Sequence, residues 1–168
     1  QLLVQPRLAQ SYQALMDDGP DAFYKGPLGE ALVACSDALG GFFSMDDLAR
    51  LPVEWVAPIT SNYRGYTIAT TPPNSQGIAL LMQASMLAHR DLTDLGVDSA
   101  ELVHLMVEAK KLAFADRDAY VCDPVFHRIP TEAMLATTQA RDRLDRIDPD
   151  RAHNGYAARD FTHGGHDT

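Results

Sequence analysis

The stretch PITSNYRGYTIATTPPNSQGIALLMQASMLA, residues 58–88, changes its period twice. β-branched and aromatic residues run up to Tyr63 and again from Tyr66 to Thr71, with Arg64-Gly65 between them. Two such runs across a two-residue, Gly-containing turn read as a β-hairpin. The first run extends back to Val53, and Pro58 places that strand at an edge or bulges it. Thr71-Pro72-Pro73-Asn74-Ser75-Gln76-Gly77 ends the second strand. Ile78 to His89 is then almost all good helix former, stopping near Asp91. A hairpin feeding a helix is therefore the centre of the fold.

Upstream the pattern is helical. Leu8, Tyr12, Leu15 and Met16 share a face between Leu2 and Met16. Asp17-Asp18-Gly19-Pro20 ends that helix, because Gly is a good stop and Pro cannot continue. Asp21 is placed to cap a short turn through Tyr24. Gly26-Pro27 starts the next helix, with Leu28, Ala31, Leu32, Cys35 and Leu39 as its expected buried stripe and Gly40-Gly41 as its end. Ser44 caps a short helix with Asp46 and Asp47 at its positive end. Leu48 and Leu51 are expected inside, and Pro52 ends it.

Downstream, Asp98 and Glu101 stand in a capping-box spacing ahead of a long helix from about Leu102 to Val121. Its expected core face is Leu102, Leu105, Met106, Ala109, Leu112 and Ala113, closed by Asp123-Pro124. Thr131, after Pro130, caps one further helix to about Ile147. Residues 148–168, rich in Asp, Arg, His and Gly, read as a linker. The predicted organisation is thus a helical segment over 1–147, with its hairpin near 53–71, and a flexible linker over 148–168. No internal repeat is visible. The fold class is α+β, predominantly helical with one hairpin. An isolated two-stranded hairpin is marginal in water, so the chain reads as part of a larger structure. Its unpaired strand edges favour self-association of the isolated chain.

Composition narrows the function. The 168 residues are 46% hydrophobic and 22% charged, within the globular range. The formal net charge of −9 and the scattered Lys and Arg argue against a nucleic-acid partner. No apolar run approaches the ~20 residues that span a bilayer, so no membrane partner is expected. Cys35 and Cys122 read as two buried thiols inside helices. Gln1-Leu2-Leu3 carries no signal-peptide pattern. The compartment stays open.

Candidate chemistry is sparse. His153, His163 and His166 with Asp160 and Asp167 could suggest a metal cluster. Their spacing fits no zinc pattern, however, and a solvated tail is the simpler reading. His104 reads as a structural histidine and His89 as a helix-terminal cation. TPPNSQG could cradle an anion at a helix start. A plain connection capped by Asn74 or Ser75 is the simpler alternative. Glu108, Asp116, Asp118 and Asp123 could supply a carboxylate pair, but with Lys110, Lys111 and Arg117 among them they read as a salt-bridged surface. No phosphate loop, Gly-x-Ser-x-Gly elbow or His-Glu-x-x-His is present. No cofactor is indicated.

Four segments in order carry a resemblance: GPDAFYKGPLGEAL, GGFFSMDDLARL, the 58–88 stretch, and HLMVEAKKLAFADRDAYVCDPVF. Together they resemble the γ-glutamyltransferase (γ-glutamyltranspeptidase) family, at the C-terminal part of its large subunit. The similarity is weakest over residues 148–163. It implies an N-terminal-nucleophile hydrolase with an αββα sandwich, made as a precursor that cuts itself into two subunits. The cut frees a threonine whose hydroxyl attacks the γ-glutamyl amide of glutathione or a related compound. The resulting ester is resolved by water or an acceptor amine. A terminal threonine is needed because a peptide nitrogen is not basic, whereas a free α-amine, with pKa ~7.7–8.0, can take the hydroxyl proton.

Residues 163–168, HGGHDT, resemble that family's processing junction. Thr168 is then the candidate catalytic residue, joined to Asp167. A cut after Thr168 and a chance threonine are the alternatives. The implied partners are the small subunit of the same precursor and a γ-glutamyl substrate. The substrate-binding groups of the family fall on no motif matched here. A cephalosporin or glutaryl acylase of the same fold is the rival within the class. A non-catalytic helical interaction module is the rival outside it.

Overall fold

The hairpin forms where the alternation predicts. β1 (Ile59–Tyr63) pairs antiparallel with β2 (Tyr66–Thr70), in register Ile59↔Thr70 through Tyr63↔Tyr66. Both turn residues have positive φ, Arg64 at 51° and Gly65 at 89°, as a two-residue turn matched to strand twist requires. Asn62 Oδ1 accepts from the Gly65 amide at 3.1 Å. Pairing does not reach back to Val53. Beyond Thr70 the partner chain runs into Pro72 and Pro73, which have no N–H to donate.

Alternate residues of β1 and β2 are half-buried, and the hairpin lies on α5 (Gly77–Ala88). The helix follows so closely that a Cβ on Gly77 would run into Thr70 Oγ1 and lie 2.6 Å from Thr70 Cγ2. Gly77→Ala should therefore destabilise the protein by ~1–3 kcal/mol through overpacking. Urea unfolding checks this, and an unchanged midpoint would show that the hairpin and α5 are not in this contact. Gln76 occupies the cap position of α5 and its own side chain makes no capping bond, but Ser75 Oγ accepts from the Gly77 amide at 3.4 Å.

α5 is the centre of the core because it is apolar on nearly every side. Ile78, Leu81 and Met86 are fully buried, and Ala79 and Met82 nearly so. It packs against α6 (Ala100–Tyr120), α7 (Thr131–Leu135) and α8 (Thr137–Leu144). Ala109, Leu112, Ala113, Met134, Ala140 and Phe161 complete the cluster. Each fully buried large apolar side chain contributes ~1.5–3 kcal/mol. α6 is capped by Ser99, whose hydroxyl accepts from the Leu102 amide at 3.2 Å, rather than by the expected Asp98/Glu101 box. Met106, expected inside, is half exposed.

The single helix expected from Thr131 to Ile147 is two. Ala136 is extended, with φ −60° and ψ 137°. Neither Gly nor Pro causes the break. The bend lets α7 and α8 both rest on α5, so packing overrides local propensity. Pro130, not Thr131, stands at the cap position.

The chain divides into two compact units, Gln1–Trp55 and Val56–Thr168. The computed structural model describes residues 3–51 and 53–161. The expected stop at Pro52 lies outside the described residues. In the first unit α1 (Pro6–Asp18), α2 (Asp21–Tyr24), α3 (Pro27–Ala38) and α4 (Met45–Ala49) follow the predicted order. Ser44 and Asp47 make a reciprocal capping box. Asp21 does not cap α2. Pro20 holds that position, and Asp21 pairs with Lys25 at 3.1 Å.

The core of this unit is small: Ala22, Gly29 and Leu48 are buried. The expected stripe of α3 is not, since Ala31 and Cys35 are exposed and Leu39 is 83% exposed. Leu8, Tyr12, Met16 and Leu51 are also exposed. Helical periodicity marks an apolar face, but burial needs a surface opposite it, and this unit supplies little. Both cysteines correct the sequence reading: Cys35 and Cys122 are exposed, and Cys122 lies beyond the end of α6. Among the described residues no helix is long and apolar enough to cross a membrane.

Candidate functional site

Two carboxylates of α6 lie inside the protein. Glu108 and Asp116, expected on a salt-bridged surface, are 0% and 1% exposed. The helical stripe explains their place. Leu105, Glu108, Ala109, Leu112, Ala113 and Asp116 are the buried residues of α6, at spacings that share one face. A buried carboxylate is costly unless paired and hydrogen-bonded, and each of these is. Asp116 forms an ion pair with Arg143 of α8, itself 2% exposed. Glu108 pairs with Lys111 at 2.6 Å. The other acids considered from sequence stay outside: Asp118 pairs with Arg117, and Asp123 accepts from the Val125 amide at 2.9 Å.

The remaining partners come from residues 148–161, expected to be a linker. Over this range the chain has no regular secondary structure, yet it is tied to α6 along its length. His104 Nε2 lies 2.8 Å from the Asp148 carbonyl. Lys111 donates to the His153 carbonyl at 2.7 Å. Glu108 accepts from the Tyr156 hydroxyl at 2.7 Å and from the His153 amide at 3.4 Å. Asp116 accepts from the Arg159 amide at 2.8 Å. Tyr120 closes the series. Its hydroxyl donates to the Arg159 carbonyl at 2.8 Å and accepts from the Phe161 amide at 3.2 Å. Its ring meets Phe161 edge-on at 5.2 Å, and Phe161 is 7% exposed. We term residues 148–161 the strap.

The electrostatics follow from this burial. For Glu108, desolvation pushes the pKa up, but the hydrogen bonds from Lys111, Tyr156 and the His153 amide outweigh it and hold the carboxyl below its usual value. Tyr156 is pushed up to about 12, by burial first and then by its bond to Glu108. Arg143 is drawn down to about 10 by burial and by the nearby charges of Arg159 and Arg146.

The signs define a window. Glu108 is depressed, so its contribution is present above the ordinary value of 4.5 and is lost as pH falls below it. Tyr156 is raised, so its contribution is present below 10.0 and is lost as pH rises from there through about 12. The strap should hold firmly between these limits and loosen first on acidification. Amide exchange of residues 153–161 reads this directly. Protection as strong at pH 3 as at pH 7 would contradict it.

The sequence-predicted residues fall as follows. Thr168, the candidate nucleophile, lies outside the described residues, as do His163, His166 and Asp167. His153 is part of the strap, its ring stacked on Tyr156 at 4.3 Å. His89 caps α5 at its C-terminal end. Among the described residues no three metal-ligating side chains come together. At the start of α5 the Gly77 amide is bonded by Ser75 Oγ, and Gln76 Oε1 accepts from Arg117 at 2.5 Å. Sequence reasoning missed Tyr156, Tyr120 and Arg143. For Glu108 and Asp116 the signal was present, since acids at stripe positions are acids in the core.

The γ-glutamyltranspeptidase family model matches residues 1–168. A glutathione hydrolase-like YwrD proenzyme from Bacillus subtilis (strain 168) is 38% identical over 144 residues, covering 86% of this chain and 27% of that protein. The acylase ACY 1 proenzyme of Pseudomonas sp. (strain SE83) is 37% identical over 156 residues, covering 92% of this chain and 28% of that protein. The chain therefore spans little more than a quarter of the curated relatives it matches. A solved γ-glutamyltranspeptidase from Pseudomonas nitroreducens, complexed with L-DON, superposes with a TM-score of 0.73 at 32% identity. It covers 91% of this chain and 47% of that one. The motifs, the α+β architecture and these matches agree: the chain belongs to the γ-glutamyltranspeptidase family.

Proposed function

We infer that this chain is a portion of a self-processing precursor that transfers or hydrolyses γ-glutamyl groups through a threonine ester, with Thr168 as nucleophile. The observation that carries the reading is the family match across residues 1–168, and the word "proenzyme" in the relatives' names supports a precursor. In maturation, the Thr168 hydroxyl oxygen attacks the Asp167 carbonyl carbon. The C–N bond breaks, and the nitrogen takes the hydroxyl proton to become an amine. Water then hydrolyses the ester, leaving a carboxyl on Asp167 and a free hydroxyl on Thr168. In turnover the new α-amine accepts the hydroxyl proton, as its near-neutral pKa allows. The small subunit of the same precursor is the proposed partner, and glutathione or another γ-glutamyl compound the proposed substrate.

The acylase relative and a solved cephalosporin acylase from Bacillus halodurans, 31% identical with a TM-score of 0.68, favour a second reading, an acylase; we take as its acyl group glutaryl, which lacks the α-amine of γ-glutamyl. Assaying the mature parent enzyme on γ-glutamyl-p-nitroanilide and on glutaryl-7-aminocephalosporanic acid separates the two. The first reading expects turnover of the anilide and little of the cephalosporin. The reverse result would replace it. Residues 1–168 alone should release no p-nitroaniline above a Thr168→Ala control, since Thr168 has no free amine while joined to Asp167.

A further inference from the structure

The strap makes one exposed turn between two points where it is held. Before the turn, the His153 amide donates to Glu108 at 3.4 Å and the His153 carbonyl accepts from Lys111 at 2.7 Å. After it, the Tyr156 hydroxyl donates to Glu108 at 2.7 Å. Asn154 and Gly155, between these holds, are exposed. The His153 ring is stacked on Tyr156 at 4.3 Å, and its Nδ1 accepts from the Gly155 amide at 3.2 Å. An imidazole that accepts at Nδ1 is neutral and carries its proton on Nε2.

We propose that Asn154-Gly155 is a self-modification site, at which Asn154 is deamidated with His153 as general base. The Gly155 nitrogen needs one new bond, to Asn154 Cγ, to close a five-membered ring. Glycine has no Cβ to obstruct that closure. The obstacle is the proton on the nitrogen, and His153 Nδ1 already lies within general-base reach of it. As Nδ1 takes this proton, the nitrogen attacks Asn154 Cγ. The imidazolium then returns a proton to the side-chain nitrogen, the bond from that nitrogen to Cγ breaks, and ammonia leaves a succinimide. Water opens the ring at one of two bonds. Cleavage between the ring nitrogen and Cγ gives aspartate, and cleavage between that nitrogen and the main-chain carbonyl carbon gives isoaspartate. A cavity of about 430 Å³, lined by Asp148, Arg151, Ala152, His153 and Asn154, is large enough to admit that water.

Both products place a new carboxylate in a cavity that already holds Asp148. Isoaspartate also inserts one backbone atom between the His153 amide and the Tyr156 hydroxyl, which converge on the same oxygen, Glu108 Oε2. The other asparagines of the chain lack this arrangement. Asn62 commits its Oδ1 to the Gly65 amide. Asn74 precedes Ser75, which has a Cβ and whose amide donates to the Pro72 carbonyl at 3.2 Å.

The test incubates the purified full-length protein at neutral pH and physiological temperature. Peptide mapping by mass spectrometry and labelling by isoaspartate methyltransferase are the readouts. Asn154 should convert, with isoaspartate among the products, while Asn62 and Asn74 stay amides. His153→Phe keeps a ring to stack on Tyr156 but removes Nδ1, and it should slow conversion at least about tenfold. A positioned base contributes ~10²–10⁴-fold, and water competes for the same proton. In a synthetic peptide of residues 151–158 no fold fixes the ring, so the same substitution should change the rate by less than about twofold. The direction of the effect separates chemistry from bracing. If His153 only braces the turn, losing Nδ1 frees Asn154 and conversion accelerates. An unchanged or faster rate in His153→Phe, or an Asn154 that remains an amide, overturns the proposal.

Discussion

Replacing Thr168 by alanine in the full-length precursor should leave one uncut chain and abolish turnover. On the proposed assignment, without the hydroxyl no ester would form at Asp167, no α-amine would be released, and neither nucleophile nor base would exist. Loss of a nucleophile of this kind costs on the order of 10⁴-fold or more. Thr168→Ser keeps a hydroxyl, so it should still cut, more slowly for want of the methyl group that restricts the rotamer. The decisive measurement is the N-terminal sequence of the mature small subunit. A first residue other than Thr168 would refute the assignment.

The largest stability effect should come from Asp116→Ala. Asp116 and Arg143 are a buried ion pair, and removing one partner strands the other charge. Breaking such a pair costs about 3–5 kcal/mol. The substitution also deprives the Arg159 amide of its acceptor. Against a typical total of ~5–15 kcal/mol, this is enough to lower soluble yield sharply. Asp116→Leu combined with Arg143→Met should recover much of the loss, because it removes both charges together. Urea unfolding followed by far-UV circular dichroism compares the single and double variants. A single variant shifted by less than about 1 kcal/mol would mean that the pair carries no net interaction.

The sequence by itself determined what depends on neighbours along the chain. The hairpin at Arg64-Gly65 follows from a glycine able to take φ of 89° between two β-rich runs. The order of most helices follows from their Gly and Pro boundaries and apolar spacing; of the side-chain caps read from sequence Ser44 is the one that holds, because both ends of its bond to the Asp47 amide lie within four residues. The motifs that mark the family are likewise local, so membership was legible before any coordinates.

Only the tertiary structure decided which faces are covered. Leu39 and Cys35 sit at positions that read as buried but have nothing packed over them, whereas Glu108 and Asp116 read as surface and lie in the core. A carboxylate can be buried only if its partners arrive, and those partners are distant: Tyr156 lies 48 residues from Glu108, and Arg159 lies 43 from Asp116. The break at Ala136 has the same origin, since no residue there forbids a helix and the packing on α5 selects the bend. The strap was invisible for the complementary reason. Its composition is that of a solvated linker, and its order is supplied by hydrogen bonds from α6, which no local pattern encodes.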